Sequence, residues 1–359
     1  MKPVLFFLLL LSAIATTAFG APQKPDSLRD GSHDFDFNLG TWRTQIKRLL
    51  HPLTGSTAWT DLDGTVTVRS VWGGRAQLEE IEADGSMGPF EGLTLFLYNP
   101  AAHQWSSSFS SSGDGTMDRP GVGEFRDGRC VFINQDTYNG RTILVKMVWS
   151  DITPDSHHVE QSFSEDGGKT WETNFIGNLT RRNAAATALA TAAASPRPEE
   201  TVAPADGQHA FDFDLGTWKT HTSRLKNPLS GSDTWIEMDG VTTVRKVWDG
   251  RANLAELVSD GGTAHLELLS LRLYDPNAHE WSLHFATSGV GVLSIPMVGT
   301  FHNGRGEFID QEQYNGKTIL VKFTITALSP TTARSEQAFS ADGGKTWEIN
   351  WINNYTRVN

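Results

Sequence analysis

Cysteine and positive charge are both scarce in this chain. Its 359 residues include one cysteine, Cys130, and 30 Lys and Arg against 42 Asp and Glu, for a formal net charge of −12. A single cysteine excludes an intrachain disulfide framework, so the fold must be held together by packing. The acidic balance argues against nucleic acid or an anionic membrane surface as a partner, because both require clustered Lys and Arg.

Long apolar runs are absent except for one at the N-terminus. Lys2 precedes the apolar stretch 4–14, and Ala18-Phe-Gly20 supplies small residues at a cleavage position. This pattern predicts a signal peptide over residues 1–20. The alternative is an uncleaved anchor, but the run is short for a bilayer span, which needs about 20 residues. We therefore expect a periplasmic or secreted protein without a membrane span after cleavage.

The rest of the chain is organised as an internal repeat. The stretch Phe35-Asp-Phe-Asn-Leu-Gly-Thr-Trp42 returns as Phe211-Asp-Phe-Asp-Leu-Gly-Thr-Trp218, and the same offset holds without a gap to the C-terminus. The unit has the size of a domain rather than of a solenoid repeat. We expect domains over residues 33–183 and 209–359, joined by an Ala- and Pro-rich linker over 184–208.

Each repeat shows the pattern of successive β-strands. Segments such as Thr65-Val-Thr-Val-Arg-Ser-Val-Trp72 alternate at period two, and turn pairs such as Asp127-Gly128 and Asn139-Gly140 separate them. No window has helical periodicity. The sequence therefore predicts an all-β protein of two tandem antiparallel up-and-down β-barrels.

Two short motifs recur at the ends of each repeat. The first repeat begins with Gly40-Thr-Trp42 and ends with Thr180-Arg181, and the second has Gly216-Thr-Trp218 and Thr356-Arg357. The chain thus resembles tandem bacterial calycin-like domains of unknown function, of the lipocalin- and nitrobindin-like barrel type. The resemblance implies a barrel with a cavity, closed at its base by Trp42 on Arg181 and by Trp218 on Arg357 in cation–π contacts. It implies no established reaction.

A second repeated motif has a structural interpretation. Ser164-Glu-Asp-Gly-Gly-Lys-Thr-Trp171 and Ser340-Ala-Asp-Gly-Gly-Lys-Thr-Trp347 resemble the Asp-box of sialidase-type propellers. We expect Asp166 and Asp342 to fold a hairpin turn, and Trp171 and Trp347 to pack beneath it.

Metal and cofactor motifs are missing. The shared histidine pairs, His33/His209 and His103/His279, have no second ligand at a metal-binding spacing. No late-strand histidine is kept in both repeats, which argues against the haem ligation known for some nitrobindins. Nucleophile-elbow, Walker and dinucleotide fingerprints are absent. We therefore expect neither a metal nor a cofactor.

Polar residues kept in both repeats are the candidate ligand-binding residues. Strand alternation predicts that they lie on the inner faces, beside residues such as Trp42 and Ile133. They are Arg48, Arg69, Glu80 and Gln135 in the first repeat and Arg224, Arg245, Glu256 and Gln311 in the second. An arginine in this setting suits an acidic or polar ligand; the alternative is an internal salt bridge.

Three functions are compatible with this pattern. The favoured hypothesis is that each barrel binds a small polar or amphipathic ligand. The second is an enzyme with Glu80 or Glu256 as general base and Arg48 or Arg224 as electrostatic partner. The third is an interaction module with filled barrels. The segments 110–120 and 286–296 differ in polarity, which predicts different ligand preferences or packing between domains. The sequence does not indicate the oligomeric state.

Overall fold

The computed structural model describes residues 30–182 and 207–358. Over these ranges the protein is all-β and forms two closed antiparallel barrels in tandem, which confirms the predicted fold class. The predicted signal peptide (1–20) and nearly all of the predicted linker (184–208) lie outside the described residues. Within the described ranges, no helix has the length and apolar character to cross a bilayer.

Barrel one is an up-and-down meander in which each strand pairs with the next and the tenth pairs with the first. Its strands are β1 Gly40–Leu49, β2 Trp59–Val71, β3 Ala76–Gly85, β4 Gly88–Asn99, β5 Gln104–Ser111, β6 Gly121–Arg126, β7 Arg129–Tyr138, β8 Arg141–Ser150, β9 Ser156–Ser164 and β10 Glu172–Arg181.

Barrel two repeats this order. Its strands are β11 Gly216–Leu225, β12 Trp235–Val247, β13 Ala252–Gly261, β14 Ala264–Asp275, β15 Glu280–Thr287, β16 Met297–His302, β17 Arg305–Tyr314, β18 Lys317–Ser329, β19 Thr332–Ser340 and β20 Glu348–Arg357. Short 3₁₀ turns precede the first strand of each barrel, at Asp36–Asn38 and Asp212–Asp214, and follow the second, at Trp72–Gly74 and Trp248–Gly250.

Period-two alternation determines which side chains enter the barrels. On β1, Trp42, Thr44 and Ile46 are buried, and the residues between them are exposed. The tight turn Asn139-Gly140 between β7 and β8 has positive φ at both residues, 49° and 74°. This backbone matches the twist of a two-residue hairpin.

The base of each barrel is closed as the repeated Gly-x-Trp and Thr-Arg motifs indicate. The guanidinium of Arg181 lies 4.0 Å from the Trp42 ring centroid, and that of Arg357 lies 4.1 Å from Trp218. Arg181 also donates to the carbonyls of Pro154, Leu39 and Phe37 at 2.6, 2.8 and 2.8 Å. The arginine therefore joins the last strand to the segment that enters the first.

The Asp-box folds the turn between the last two strands. Asp166 accepts hydrogen bonds from the Ser164 hydroxyl and from the backbone and hydroxyl of Thr170, at 2.7–3.0 Å. These donors, the Thr170 backbone first, lower the pKa of Asp166. In barrel two the hydroxyl of Thr346 is the largest of the causes that lower the pKa of Asp342 to about 2. The motif carries no cavity-facing group.

The two barrels share an apolar interface. Leu93, Leu95 and Leu97 on β4 point away from the lumen of barrel one, yet they are at most 1% exposed. They belong to one buried cluster with their counterparts on β14, which are Leu269, Leu271 and Leu273. The sequence suggested separate barrels and did not predict this contact.

Charged pairs at the interface are reciprocal. Arg75 of barrel one contacts Glu267 of barrel two at 2.6 Å, and Arg251 of barrel two contacts Glu91 of barrel one at 2.6 Å. Arg251 and Glu267 occupy the repeat positions of Arg75 and Glu91. The same patch is therefore used on both sides, as in an isologous two-fold interface.

Candidate functional site

Barrel one encloses a cavity of about 600 Å³ that opens between its hairpin loops. Its walls are predominantly aromatic and aliphatic. The aromatic lining residues are Phe90, Phe109, Phe132, Tyr138, Trp149, Phe163 and Phe175. Residues from all ten strands contribute, so the cavity is the barrel lumen itself.

Glu79 on β3 is the acidic group deep in this lumen. Its side chain is 6% exposed and lines the cavity. One carboxyl oxygen accepts from Thr94 Oγ1 and the other from Asn38 Nδ2, each at 3.2 Å. Burial raises the pKa of Glu79, against the opposing effect of these two donors. Among the described residues, it has no ion-pair partner.

Trp149 on β8 adds a second buried polar group. Trp149 is 2% exposed and lines the cavity. Its indole N–H has no hydrogen-bond partner in the described part of the protein. The ring packs edge-on against Phe96 and Phe132, at centroid distances of 5.5 and 5.4 Å. An unpaired buried donor is costly unless an acceptor is supplied to it.

The mouth of the cavity carries charges of both signs. Arg48, Asp114, Asp118 and Arg119 line it. Partial desolvation, followed by the negative charges of Asp136 and Asp114, raises the pKa of Asp118 to about 7, although its side chain keeps exposed surface. Asp118 is therefore the mouth carboxyl whose charge varies near neutral pH.

Barrel two also reaches this mouth. Glu91 lines the cavity and receives the guanidinium of Arg251 from the neighbouring barrel. In the mouth loop, Gly115 has a φ of +62°, and a Cβ there would lie 1.8 Å from the Tyr274 carbonyl oxygen. Gly291 meets the Tyr98 carbonyl in the same way. These close approaches explain why both repeats keep glycine here.

Of the four candidates in barrel one, only Arg48 lies at the cavity. Glu80 and Arg69 lie on the outer surface and contact each other at 2.6 Å. Gln135 is exposed on β7, where Asn134 and Asp136 face the lumen instead. The inner-face assignment of Arg69, Glu80 and Gln135 was therefore shifted by one residue, and the predicted Arg–Glu–Gln cluster does not form.

The copies in barrel two are arranged similarly. Arg245 and Glu256 form the equivalent outer pair at 3.0 Å, and Gln311 is exposed. The guanidinium of Arg224 lies 5.1 Å from the centroid of the Trp351 ring. The proposed base Glu256 is thus paired outside the barrel, as Glu80 is, rather than placed with Arg224 in a lumen.

At some lumen positions barrel two carries larger side chains than barrel one, whereas Glu79 and Trp149 are replaced by the smaller Ala255 and Ile325. Four substitutions at repeat positions add volume, and the new side chains are at most 9% exposed. They are Ser107 to Leu283, Gly121 to Met297, Gly177 to Asn353 and Leu179 to Tyr355.

Several polar groups of barrel two are paired within the barrel. Asn353 accepts from the Thr222 hydroxyl at 2.8 Å and donates to the Ser335 hydroxyl at 3.2 Å. Arg272 contacts Asp214 at 2.6 Å, with both side chains at most 5% exposed. This internal ion pair occupies the repeat positions of Phe96 and Asn38.

No group of three or more His, Cys, Asp or Glu among residues 30–182 and 207–358 has a metal-binding arrangement. Cys130 is fully buried, and burial raises the pKa of its thiol to about 12, so it is no candidate nucleophile. Two histidines are buried without a metal partner. His157 lies against Trp42 with neither ring nitrogen hydrogen-bonded within the described chain, and His284 bonds to Ser282.

These histidines predict acid sensitivity. Burial lowers the pKa of His157 and of His284 to about 4, below an unfolded value of about 6.5. Between pH 4 and pH 6.5 the unfolded chain binds more protons than the folded chain. The contribution of the two histidines to the unfolding free energy is therefore fully present above pH 6.5 and is lost as the pH falls toward 4. We expect the double variant His157→Leu/His284→Leu to lose less unfolding free energy over this window, by about 3 kcal/mol per histidine as an upper estimate.

The measurement is urea unfolding of both proteins at pH 7, 5.5 and 4. The matched control is His51→Leu, because His51 is exposed. Parallel pH profiles of the wild type and the double variant would contradict the prediction.

The fold and the lumen together define a class. The chain is a tandem of closed ten-stranded antiparallel β-barrels, one of which encloses a cavity. No protein-family model matches it, and no curated protein sequence does.

Solved structures similar to this chain fall into two groups by coverage. A de novo designed fluorescence-activating β-barrel is 16% identical and covers 43% of this chain and 100% of its own, with a TM-score of 0.23. The S-type phycobiliprotein lyase CPES from Guillardia theta is 13% identical over 44% of this chain and 94% of its own, with a TM-score of 0.31. A DUF3598 family protein of unknown function from Nostoc punctiforme is 10% identical over 92% of this chain and 100% of its own, with a TM-score of 0.26. These values indicate no function.

Proposed function

We propose that barrel one binds a small amphipathic ligand in its lumen. The observation that carries this proposal is a cavity of about 600 Å³ with aromatic walls and the buried polar groups of Glu79 and Trp149. Small-molecule sites have this size, roughly 300–1,000 Å³, and this composition of apolar walls with a few oriented polar atoms.

Barrel two has a different role in this proposal. Its lumen positions carry the larger side chains of Leu283, Met297, Asn353 and Tyr355. Asn353 is hydrogen-bonded to Thr222, and Tyr355 to Ser335. We propose that it supports the mouth of barrel one through Arg251 and Tyr274 instead of holding a second ligand of similar size. This replaces the expectation of one ligand per barrel.

The enzyme hypothesis loses its geometric basis. Its proposed base, Glu80, is paired with Arg69 outside the barrel, while Arg48 lies at the inner mouth. Binding is therefore the function that the lumen supports best. We also keep export to the periplasm or medium as a proposal, based on the N-terminal pattern, and N-terminal sequencing of the mature protein tests it.

Filling the lumen of barrel one is the direct test. The double variant Ser107→Leu/Gly177→Asn transfers two residues of barrel two. A Cβ at Gly177 meets only side-chain atoms at 3.5 Å or more, which is ordinary van der Waals contact. We expect the affinity for the neutral fluorophore N-phenyl-1-naphthylamine to fall at least about tenfold, because its space is removed.

The matched control is Thr142→Leu, since Thr142 is exposed on β8. Fluorescence titration gives the dissociation constants, and circular dichroism checks that each variant is folded. Equal affinity of the filled variant and the wild type would refute binding in this lumen.

A further inference from the structure

We infer that the ligand of barrel one is an amphipathic organic cation, such as an amine on an aromatic or aliphatic body, whose charged nitrogen binds Glu79. This inference rests on the proposed function, because it assigns a chemical class to the occupant of the same cavity. Four features of the structure support it.

The first feature is a buried carboxyl group without a countercharge. The side chain of Glu79 is 6% exposed and borders the cavity, and its two oxygens receive one neutral donor each, from Thr94 and Asn38. A carboxylate in this setting retains lone pairs directed toward the cavity. Buried charges in proteins are normally paired, so the missing partner must come from the occupant or from a proton.

The second feature is the comparison with barrel two. There the acid of the same polar layer, Asp214, is neutralised by Arg272 of the same chain at 2.6 Å. Barrel one has Phe96 at the position of Arg272, and barrel two has Ala255 at the position of Glu79. In this layer barrel two supplies the cation from its own chain, whereas Glu79 of barrel one has the cavity beside it.

The third feature is the character of the walls and mouth. Aromatic rings surround the lumen, and their faces attract cations. The acidic and basic side chains that line the cavity are five carboxyl groups and two arginines: Glu79, Glu91, Asp114, Asp118, Asp136, Arg48 and Arg119. Glu91 is already paired with Arg251 of barrel two, and an acidic excess remains.

The fourth feature is the indole N–H of Trp149, which has no partner within the described residues. Its burial at the cavity wall means that a bound molecule gains by offering it an acceptor. The ligand therefore presents a positively charged donor to Glu79 and a hydrogen-bond acceptor to Trp149.

A charge series on one fluorophore tests this inference on the full two-barrel chain. The probes are dansylcadaverine, which is cationic, its neutral N-pentyl dansylamide analogue, and anionic dansyl-6-aminohexanoate. We expect the cation to bind the wild type at least about tenfold more tightly than either analogue, because charge-assisted hydrogen bonds are the strong ones. Glu79→Gln should remove this preference, mainly by lowering the affinity for the cationic probe.

The control is Glu82→Gln, which removes the same charge from the exposed outer face of β3 and should leave all three affinities unchanged. If Glu79→Gln does not fold, Glu79→Ala introduces the residue of barrel two and serves in its place. Equal binding of the three probes, or a cation preference that survives both Glu79 variants, would overturn the inference while lumen binding stands. Absence of binding by all three probes to the wild type would overturn both.

Discussion

Arg181→Ala is expected to lower the unfolding free energy of barrel one by about 3–4 kcal/mol. The substitution removes the cation–π contact with Trp42 and three hydrogen bonds to backbone carbonyls. It also leaves the carbonyls of Leu39 and Phe37 without their charged donor at the barrel base. The effect is large because one side chain joins the two ends of the barrel.

Calorimetry and urea unfolding measure this loss. Arg181→Lys is the matched variant; it keeps a cation but cannot reach three carbonyls at once, so it should recover only part of the stability. Arg357→Ala makes the equivalent change in barrel two, where Arg357 contacts Trp218 and the carbonyls of Leu215 and Phe213. A loss below about 1 kcal/mol for Arg181→Ala, the value typical of a surface charge, would contradict the prediction.

Leu95→Asp is expected to separate the two barrels. Leu95 is fully buried in the cluster that β4 and β14 share, although it points out of its own barrel. An unpaired charge buried there would cost about 3–5 kcal/mol, and the linked barrels avoid that cost by moving apart. We expect the wild type to unfold in one transition and this variant in two, with an increase in the radius of gyration.

Differential scanning calorimetry and small-angle X-ray scattering detect these changes. Met87→Asp is the control, because it introduces the same charge in the same barrel at a residue that is 76% exposed. One cooperative transition together with an unchanged radius for Leu95→Asp would show that the interface does not hold the barrels together.

Much of the fold was accessible from the sequence because its signals are local and occur twice. Period-two alternation, Asn139-Gly140 and similar turns, and the Trp and Arg at the ends of each repeat all indicate the same closed barrel. The structure places these residues as the motifs require, with Arg181 over Trp42 at 4.0 Å.

The binding site was harder to predict, for a physical reason. Usually the more polar face of a strand is the outer one, but on β3 and β4 the outer face is buried by the other barrel and the inner face carries Glu79 and Thr94. Both faces of these strands are therefore mixed in polarity. The assignment consequently selected Glu80, one residue from the carboxyl that lines the cavity.

The comparison of the two repeats also favoured the wrong candidates. The polar residues that both copies keep include Arg69, Glu80 and Gln135, which lie on the outer surface. Glu79 has Ala255 as its counterpart, and Trp149 has Ile325. The polar groups that line the cavity of barrel one are therefore found where the copies differ.

The mouth loops, in segments 110–120 and 286–296, contain both shared and divergent residues. Gly115 and Gly291 are shared because each lies against a carbonyl of the opposite barrel. The changed residues differ in role: Asp114 and Asp118 line the cavity, whereas Val290 is 56% exposed in barrel two. Packing between domains was one of the two explanations that the sequence offered for this difference, and both loops do contact the opposite barrel.

The reciprocal ion pairs of the interface have a consequence for how such a protein can change. If the same interface joined two identical chains, every substitution in one lumen would also appear in the other. Neither barrel could then fill its cavity with larger side chains while the other kept its cavity open. Covalent linkage of the two copies removes this symmetry constraint while keeping the paired surfaces of Arg75–Glu267 and Arg251–Glu91. One barrel can then keep an open cavity while the other gains internal packing, and selection can act on each barrel separately.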